Sequence, residues 1–200
     1  MLKIYIAKIP TKIIKRKIPT SLLNEINQYM HPQARLQKNA SYLLLNIVLN
    51  THHIWNKDIS VNEYGKPSLI GNQIYFNLSH SGEYIVCAVA NNPIGVDIEF
   101  TNSHIKSISS AFLTKNEVQT YISLSNQKLT QIWAIKEAIV KLLGVGLSKK
   151  LSTISLASLK INNKRLYTFK KTFRAYHHLQ FALASYVQLP KKINLIKVKL

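Results

Sequence analysis

Two of the eight carboxylates in this 200-residue chain, Asp97 and Glu99, stand two residues apart in the apolar run Ile94-Gly95-Val96-Asp97-Ile98-Glu99. On a strand, alternate side chains share a face. The two carboxylates would then lie on one side, roughly 6.6 Å apart at ~3.3 Å per residue, with Val96 and Ile98 pointing into the core. Carboxylates held this way repel and raise each other's pKa unless a cation neutralises them. A hard divalent ion such as Mg²⁺ does so while keeping water and phosphate ligands. A solvent-facing polar edge is the bland account of the same pattern.

Three further groups could join such a site. In Trp133-Ala-Ile-Lys136-Glu137-Ala-Ile-Val-Lys141, Glu137 and Lys141 are i, i+4 neighbours on a helix, which by itself describes an ordinary surface pair. Asn77-Leu-Ser79-His80-Ser81 places several donors for an anion at a strand end, although a lone histidine is commonly a bystander. No GxSxG elbow accompanies Ser79, so a serine-hydrolase triad is weak. Glu63-Tyr-Gly65-Lys66-Pro67 is a turn in which glycine admits close backbone approach and lysine supplies charge.

Charge narrows the ligand class. The chain carries 27 basic and 8 acidic side chains, a net +19. Residues 1–24 and 138–200 contain no acid at all, and residues 25–137 balance, so the whole excess lies in the two ends. Such a field attracts polyanions: nucleic acid, an acidic protein or a phosphorylated ligand. Only 4 of the bases are arginine, which favours point-charge attraction over bidentate base reading. A hydrophobic content of 46% excludes disorder as the main state. No apolar run is long enough to cross a membrane. The amino terminus has no signal-peptide pattern, and the single Cys87 cannot build a disulfide framework. A reduced, cytoplasmic setting is the expectation.

The elements that must position these residues follow from periodicity. Strands are expected at 2–9, 73–78, 84–90 and 94–100, and helices at 21–30, 33–50 and 127–143, the last stopped by Gly144. Thr114-Lys-Asn-Glu117 has the capping-box spacing that opens a short helix. Strands are expected again at 152–161, 164–170, 179–188 and 193–199. The pattern is mixed α and β, consistent with two α+β halves meeting near residue 100.

In this order and spacing, NEYGKPSL (62–69), YFNLSHSGEYIVCAVA (75–90), PIGVDIE (93–99), FLTKNE (112–117) and IWAIKEAIVKLLGVGLS (132–148) resemble the 4′-phosphopantetheinyl transferases of the surfactin-synthetase-activating type. Each string is weakly specific; the ordered set is highly specific, over about residues 62–150. The resemblance implies an α+β fold of two pseudo-symmetric α/β halves, residues 1–100 and 101–200. Each would be a small antiparallel sheet packed on a long helix, with the active site in the cleft between them. It implies Mg²⁺-dependent transfer of the 4′-phosphopantetheine group from coenzyme A to a serine hydroxyl of an apo acyl or peptidyl carrier protein, releasing 3′,5′-ADP. Asp97, Glu99 and Glu137 would hold the metal, with Mn²⁺ as the alternative ion. Lys141 would contact the phosphates and assist the leaving group, and Glu137 would serve as base. Ser79 and His80 would bind phosphate at the nucleotide end, and Gly65, Lys66 and Pro67 would line the adenosine pocket. Arg35 and Lys38 stand beside Gln37, where the family carries an arginine, and are the expected phosphate contacts from the first helix.

The segment Leu22–Met30 lacks the basic pair often found there, which leaves Lys12, Lys15, Arg16 and Lys17 as substitutes. A monomer is expected, with an acidic carrier protein as partner and no nucleic acid or membrane. A basic nucleic-acid-binding module and a metal-dependent phosphohydrolase are the competing readings, and neither needs an acceptor serine.

Overall fold

The structure, a computed structural model, describes residues 1–14, 18, 26–27, 30–55, 57–71, 74–121, 123–146, 150–161 and 163–200. Most of the helix expected at 21–30 lies outside the described residues, as do Lys15, Arg16 and Lys17.

The chain is a mixed α and β fold. Its first sheet is built on β5 (Tyr84–Ala90), flanked antiparallel by β1 (Leu2–Lys8) and β4 (Tyr75–Ser81). The last strand, β11 (Leu195–Val198), returns to pair parallel with the outer edge of β1. The second sheet has β10 (Leu179–Ser185) at its centre, antiparallel to both β6 (Ile94–Glu99) and β9 (Tyr167–Phe173). Sheet membership therefore does not change at residue 100: β6 lies in the second sheet and β11 in the first.

Alternation explains the layering. On β5, Ile85, Cys87 and Val89 join the apolar cluster beneath α1 (Pro32–Thr51), which contributes Tyr42, Leu44, Leu45 and Val48. Val86, Ala88 and Ala90 point the other way, against Val96 and Ile98 of β6 and Phe181 and Leu183 of β10. On the far side, Ala182 and Ala184 pack against α4 (Asn126–Leu143), which brings Leu129, Ile135, Ala138 and Ile139. Both sheets are thus covered on two faces, which is why β5 is nearly all apolar.

Helix α4 begins with Ser125, whose hydroxyl accepts the Lys128 amide, and ends with Gly144 in the left-handed conformation at φ 71°. In the chain between β6 and α4 come α2 (Ser109–Phe112) and α3 (Lys115–Tyr121). The capping box forms as expected: the Glu117 amide donates to Thr114 Oγ1, and the Thr114 amide donates to Glu117 Oε2.

Some expectations are corrected. Residues 152–161 are not one strand: Leu151–Thr153 is a 3₁₀ turn and only Lys160–Ile161 (β7) pairs, with Lys164–Arg165 (β8). The strand expected at 164–170 is split, its main part shifting to 167–173. The strand expected to stop at 78 runs to Ser81, because Ser79 and Ser81 are polar for a reason given below. The turn expected at Glu63–Pro67 closes an unforeseen hairpin, β2 (Ile59–Val61) against β3 (Pro67–Leu69).

Candidate active site

The arrangement starts from Gly95. A Cβ at this position would lie 1.9 Å from the Ala138 carbonyl oxygen and 2.6 Å from the Leu142 amide nitrogen. Glycine is therefore what lets α4 rest directly on β6. With Ile94, Val96 and Ile98 buried between the sheets, the alternate residues Gly95, Asp97 and Glu99 face α4. Helix periodicity presents Glu137 and Lys141 to them.

At the centre the Lys141 ammonium donates to Asp97 Oδ1 at 2.6 Å and to Ser79 Oγ at 2.8 Å, and Ser79 donates to the same Oδ1 at 2.7 Å. Asp97 is only 2% exposed, and its second oxygen, Oδ2, is buried with no hydrogen-bond partner. Glu99 accepts from Ser81 Oγ at 3.0 Å. Burial, and then the charge of Asp97, push the Glu99 carboxyl up to about 7, against the lowering contacts of Ser81, Lys141 and Trp133. Glu137 is raised by the same two causes in the same order, with Lys141 opposing. Asp97 thus acts on both glutamates, and the Lys141 ammonium offsets it at each.

Strand β4 supplies the underlying scaffold. The edge of β6 away from β10 has no strand partner among the described residues. Its amides at Val96, Ile98 and Phe100 donate instead to Asn77 Oδ1 (2.9 Å), Ser79 Oγ (3.3 Å) and Ser81 Oγ (3.1 Å). The i, i+2, i+4 spacing in NLSHS is this row of side chains, stitching one sheet to the other. Ser79 and Ser81 each also hold the carboxylate opposite, so the stitch and the acidic pair share the same hydroxyls.

Above this layer lies a cavity of about 990 Å³. Its walls come from α1 (Gln37, Lys38, Tyr42), the β2–β3 turn (Tyr64 to Pro67), β4 (Asn77, Leu78, His80), α4 (Trp133, Glu137, Lys141) and the segment Lys150–Ser152. Of the residues singled out by sequence, Gly65, Lys66, Pro67, His80, Lys38, Glu137 and Lys141 line it. The His80 imidazole is lowered, first by burial and then by the Lys141 charge, while Asp97 opposes.

Others are placed differently. Ser79 is buried beneath the floor, its hydroxyl occupied by Asp97, Lys141 and the Ile98 amide, so it braces the carboxylate rather than facing the cavity. Arg35 is absent from the lining; its guanidinium turns to Asn27 Oδ1 at 3.4 Å. One turn of helix separates Arg35 from Lys38, which faces the cavity with its ammonium 4.9 Å from the centre of the Tyr42 ring. Sequence reading missed Gln37, Tyr42, Tyr64 and Lys150 as lining residues, and Asn77 and Ser81 as braces. The alternation within NLSHS was the available signal for the braces.

Among the described residues, no group of three or more His, Cys, Asp and Glu side chains is gathered so that it could hold a metal ion as the side chains stand. The donor chemistry nevertheless fits a hard divalent ion. Asp97 Oδ2 is buried without a partner, and Glu99 and Glu137 are both raised toward neutrality by burial and then by the Asp97 charge, which a cation would offset.

Comparison with known proteins bears on the same residues. Residues 93–188 match the family model of the 4′-phosphopantetheinyl transferase superfamily. The chain is 39% identical over 93 residues to the 4′-phosphopantetheinyl transferase gsp of Aneurinibacillus migulanus, covering 43% of this chain and 38% of that protein. It is 32% identical over 121 residues to the 4′-phosphopantetheinyl transferase Sfp of Bacillus subtilis strain 168, covering 57% and 54%. It is 35% identical over 122 residues to the 4′-phosphopantetheinyl transferase ffp of Bacillus subtilis, again covering 57% and 54%. The chain thus spans between about two fifths and half the length of these relatives. The stretch shared with the family model runs from the strand that carries Asp97 and Glu99, through the helix that carries Glu137 and Lys141, to the last strand of the second sheet, and over it the chain is similar to the 4′-phosphopantetheinyl transferase superfamily.

Proposed function

We propose that the chain transfers the 4′-phosphopantetheine group of coenzyme A to a serine hydroxyl of an apo acyl or peptidyl carrier protein. The supporting observation is the cavity lined by Lys38, Lys66, His80, Glu137 and Lys141, above the buried Asp97–Lys141–Ser79 knot. A cleft with that balance suits a polyanion reacting beside a carboxylate.

In the reaction the serine oxygen attacks the phosphorus that carries pantetheine. The bond from that phosphorus to the bridging oxygen breaks, and 3′,5′-ADP leaves with the electron pair. The hydroxyl proton goes to Glu137, directly or through one water; a carboxylate raised by burial is a better match for an alcohol proton than an exposed one. Lys141 points its charge at oxygens that gain negative charge as the bond breaks. His80, Lys66, Gly65, Pro67 and Lys38 hold the nucleotide end. Asp97, Glu99 and Glu137 would hold Mg²⁺, or Mn²⁺, which supplies charge neutralisation on the phosphate oxygens. With this reading go an acidic carrier drawn by the basic ends and a monomer working in the cytoplasm; the two expected halves, 1–100 and 101–200, would exchange β6 and β11 between their sheets.

Mass spectrometry of an apo carrier protein incubated with the chain, coenzyme A and Mg²⁺ tests the reading. The carrier should gain one phosphopantetheine mass. Glu137→Ala and Lys141→Ala should each lower the rate by roughly 10²–10³, the scale seen when an electrostatic catalytic group is removed. No mass gain with several carriers, or either variant retaining wild-type turnover, refutes the assignment. Release of inorganic phosphate without an acceptor would favour a hydrolase instead.

A further inference from the structure

The β2–β3 hairpin forms one wall of the cavity yet, among the described residues, pairs with no other strand. Two short strands alone are marginal in water, so something else must hold this wall in place. The contacts converge on Asn62. Its Oδ1 accepts from the Lys66 amide at 2.8 Å and the Tyr64 amide at 3.1 Å, closing the turn in which Gly65 sits at φ 82°. Its Nδ2 donates to the Gly144 carbonyl at 2.8 Å, across 82 residues of chain. Lys66 adds a second bond, its ammonium donating to the Leu142 carbonyl at 2.9 Å. Both acceptors belong to the carboxy-terminal end of α4, where carbonyls lack helical partners. The surfaces are in close contact: a Cβ on Gly144 would come within 2.9 Å of Lys66 Cδ, and one on Gly146 within 3.2 Å of Tyr64 Cβ.

We infer that Asn62 is a positioning residue for coenzyme binding. It uses one end of its amide to shape the turn and the other to latch that turn onto the helix bearing Glu137 and Lys141. The latch sets the distance between the wall proposed to receive the nucleotide and the groups proposed to act on the phosphates. The inference rests on the transfer reading above and extends it to a residue that touches neither substrate nor reacting atoms.

Aspartate separates the two ends. Asn62→Asp keeps an oxygen for the Lys66 and Tyr64 amides but replaces the donor by a second oxygen facing the Gly144 carbonyl. Calorimetric titration of coenzyme A into the full chain, with steady-state transfer to a carrier protein, should show Kd and KM for coenzyme A about tenfold higher. The kcat should stay within about threefold, and the melting temperature should fall by a few degrees at most. Asn62→Ala, which loses both ends, should weaken coenzyme binding at least as much and also melt earlier. Wild-type binding with unchanged affinity in both variants overturns the inference, as does a loss confined to kcat. A wild-type chain that binds no coenzyme A overturns the transfer reading and the latch with it.

Discussion

Glu99→Gln isolates the electrostatic strain beneath the cavity. In the folded chain the Glu99 carboxyl is held at about 7, against 4.5 for an ordinary glutamate, with burial the larger cause and Asp97 the next. The folded state therefore grips this proton more tightly than the unfolded chain does. The resulting stabilisation is fully present below 4.5 and is lost as pH rises through about 7. At 1.36 kcal/mol for each pH unit, the loss between pH 5 and pH 8 is about 2.5 kcal/mol. Glutamine cannot ionise, keeps the volume and still offers Ser81 an acceptor. Urea unfolding of both proteins at pH 5, 6, 7 and 8, with a chelator present, removes contributions common to the two chains. The stability of wild type minus that of Glu99→Gln should fall by on the order of 2–3 kcal/mol across the series. A difference that stays flat within about 0.5 kcal/mol would mean that Glu99 is ionised at little cost, and the case for an acidic cluster short of positive charge would fail.

Two further substitutions test what brings the site together. Gly95→Ala drives a methyl group into the backbone of α4 and should cost more than ~3 kcal/mol, beyond ordinary overpacking. Thermal unfolding should show a drop of about 10 °C or an insoluble protein; a normal melting curve would show that helix and strand do not depend on this contact. Lys136 is completely buried, bonded to Glu117 at 2.5 Å and to the Phe112 carbonyl at 2.6 Å. Lys136→Met alone should cost about 3–5 kcal/mol by stranding the Glu117 charge. Adding Glu117→Gln, which removes the stranded charge and keeps one acceptor oxygen for either the Thr114 or the Leu156 amide, should recover about 1 kcal/mol in denaturant unfolding. A double variant less stable than the single one would contradict that account.

The parts of this architecture legible in sequence are those governed by a short period. Alternation in Ile94–Glu99 correctly put Val96 and Ile98 in the core and both carboxylates on the other face, and the Gly144 stop and the Thr114–Glu117 box read directly from local chemistry. Features requiring a partner distant in sequence did not read. Nothing within Leu195–Val198 says that it returns to β1 rather than extending the second sheet. Arg35 and Lys38 are equally basic; only the rotation of α1 turns one toward Asn27 and the other toward the cavity. Ser79 reads as an anion donor in isolation, but the approach of β6 consumes its hydroxyl. Lys136 looks like a surface charge until α3 and the 151–156 segment fold over it.

The row Asn77, Ser79, Ser81 carries a consequence for how this protein can change over generations. Strands joined through main-chain atoms accept nearly any residue, because the bonds are blind to side-chain identity. Here the weld is written in three specific side chains, and two of them also grip the acids proposed for chemistry. Drift at those positions cannot alter reactivity while sparing architecture, or the reverse. A lineage wishing to retune the acids has its freedom on α4 and the cavity walls, not on the strand beneath.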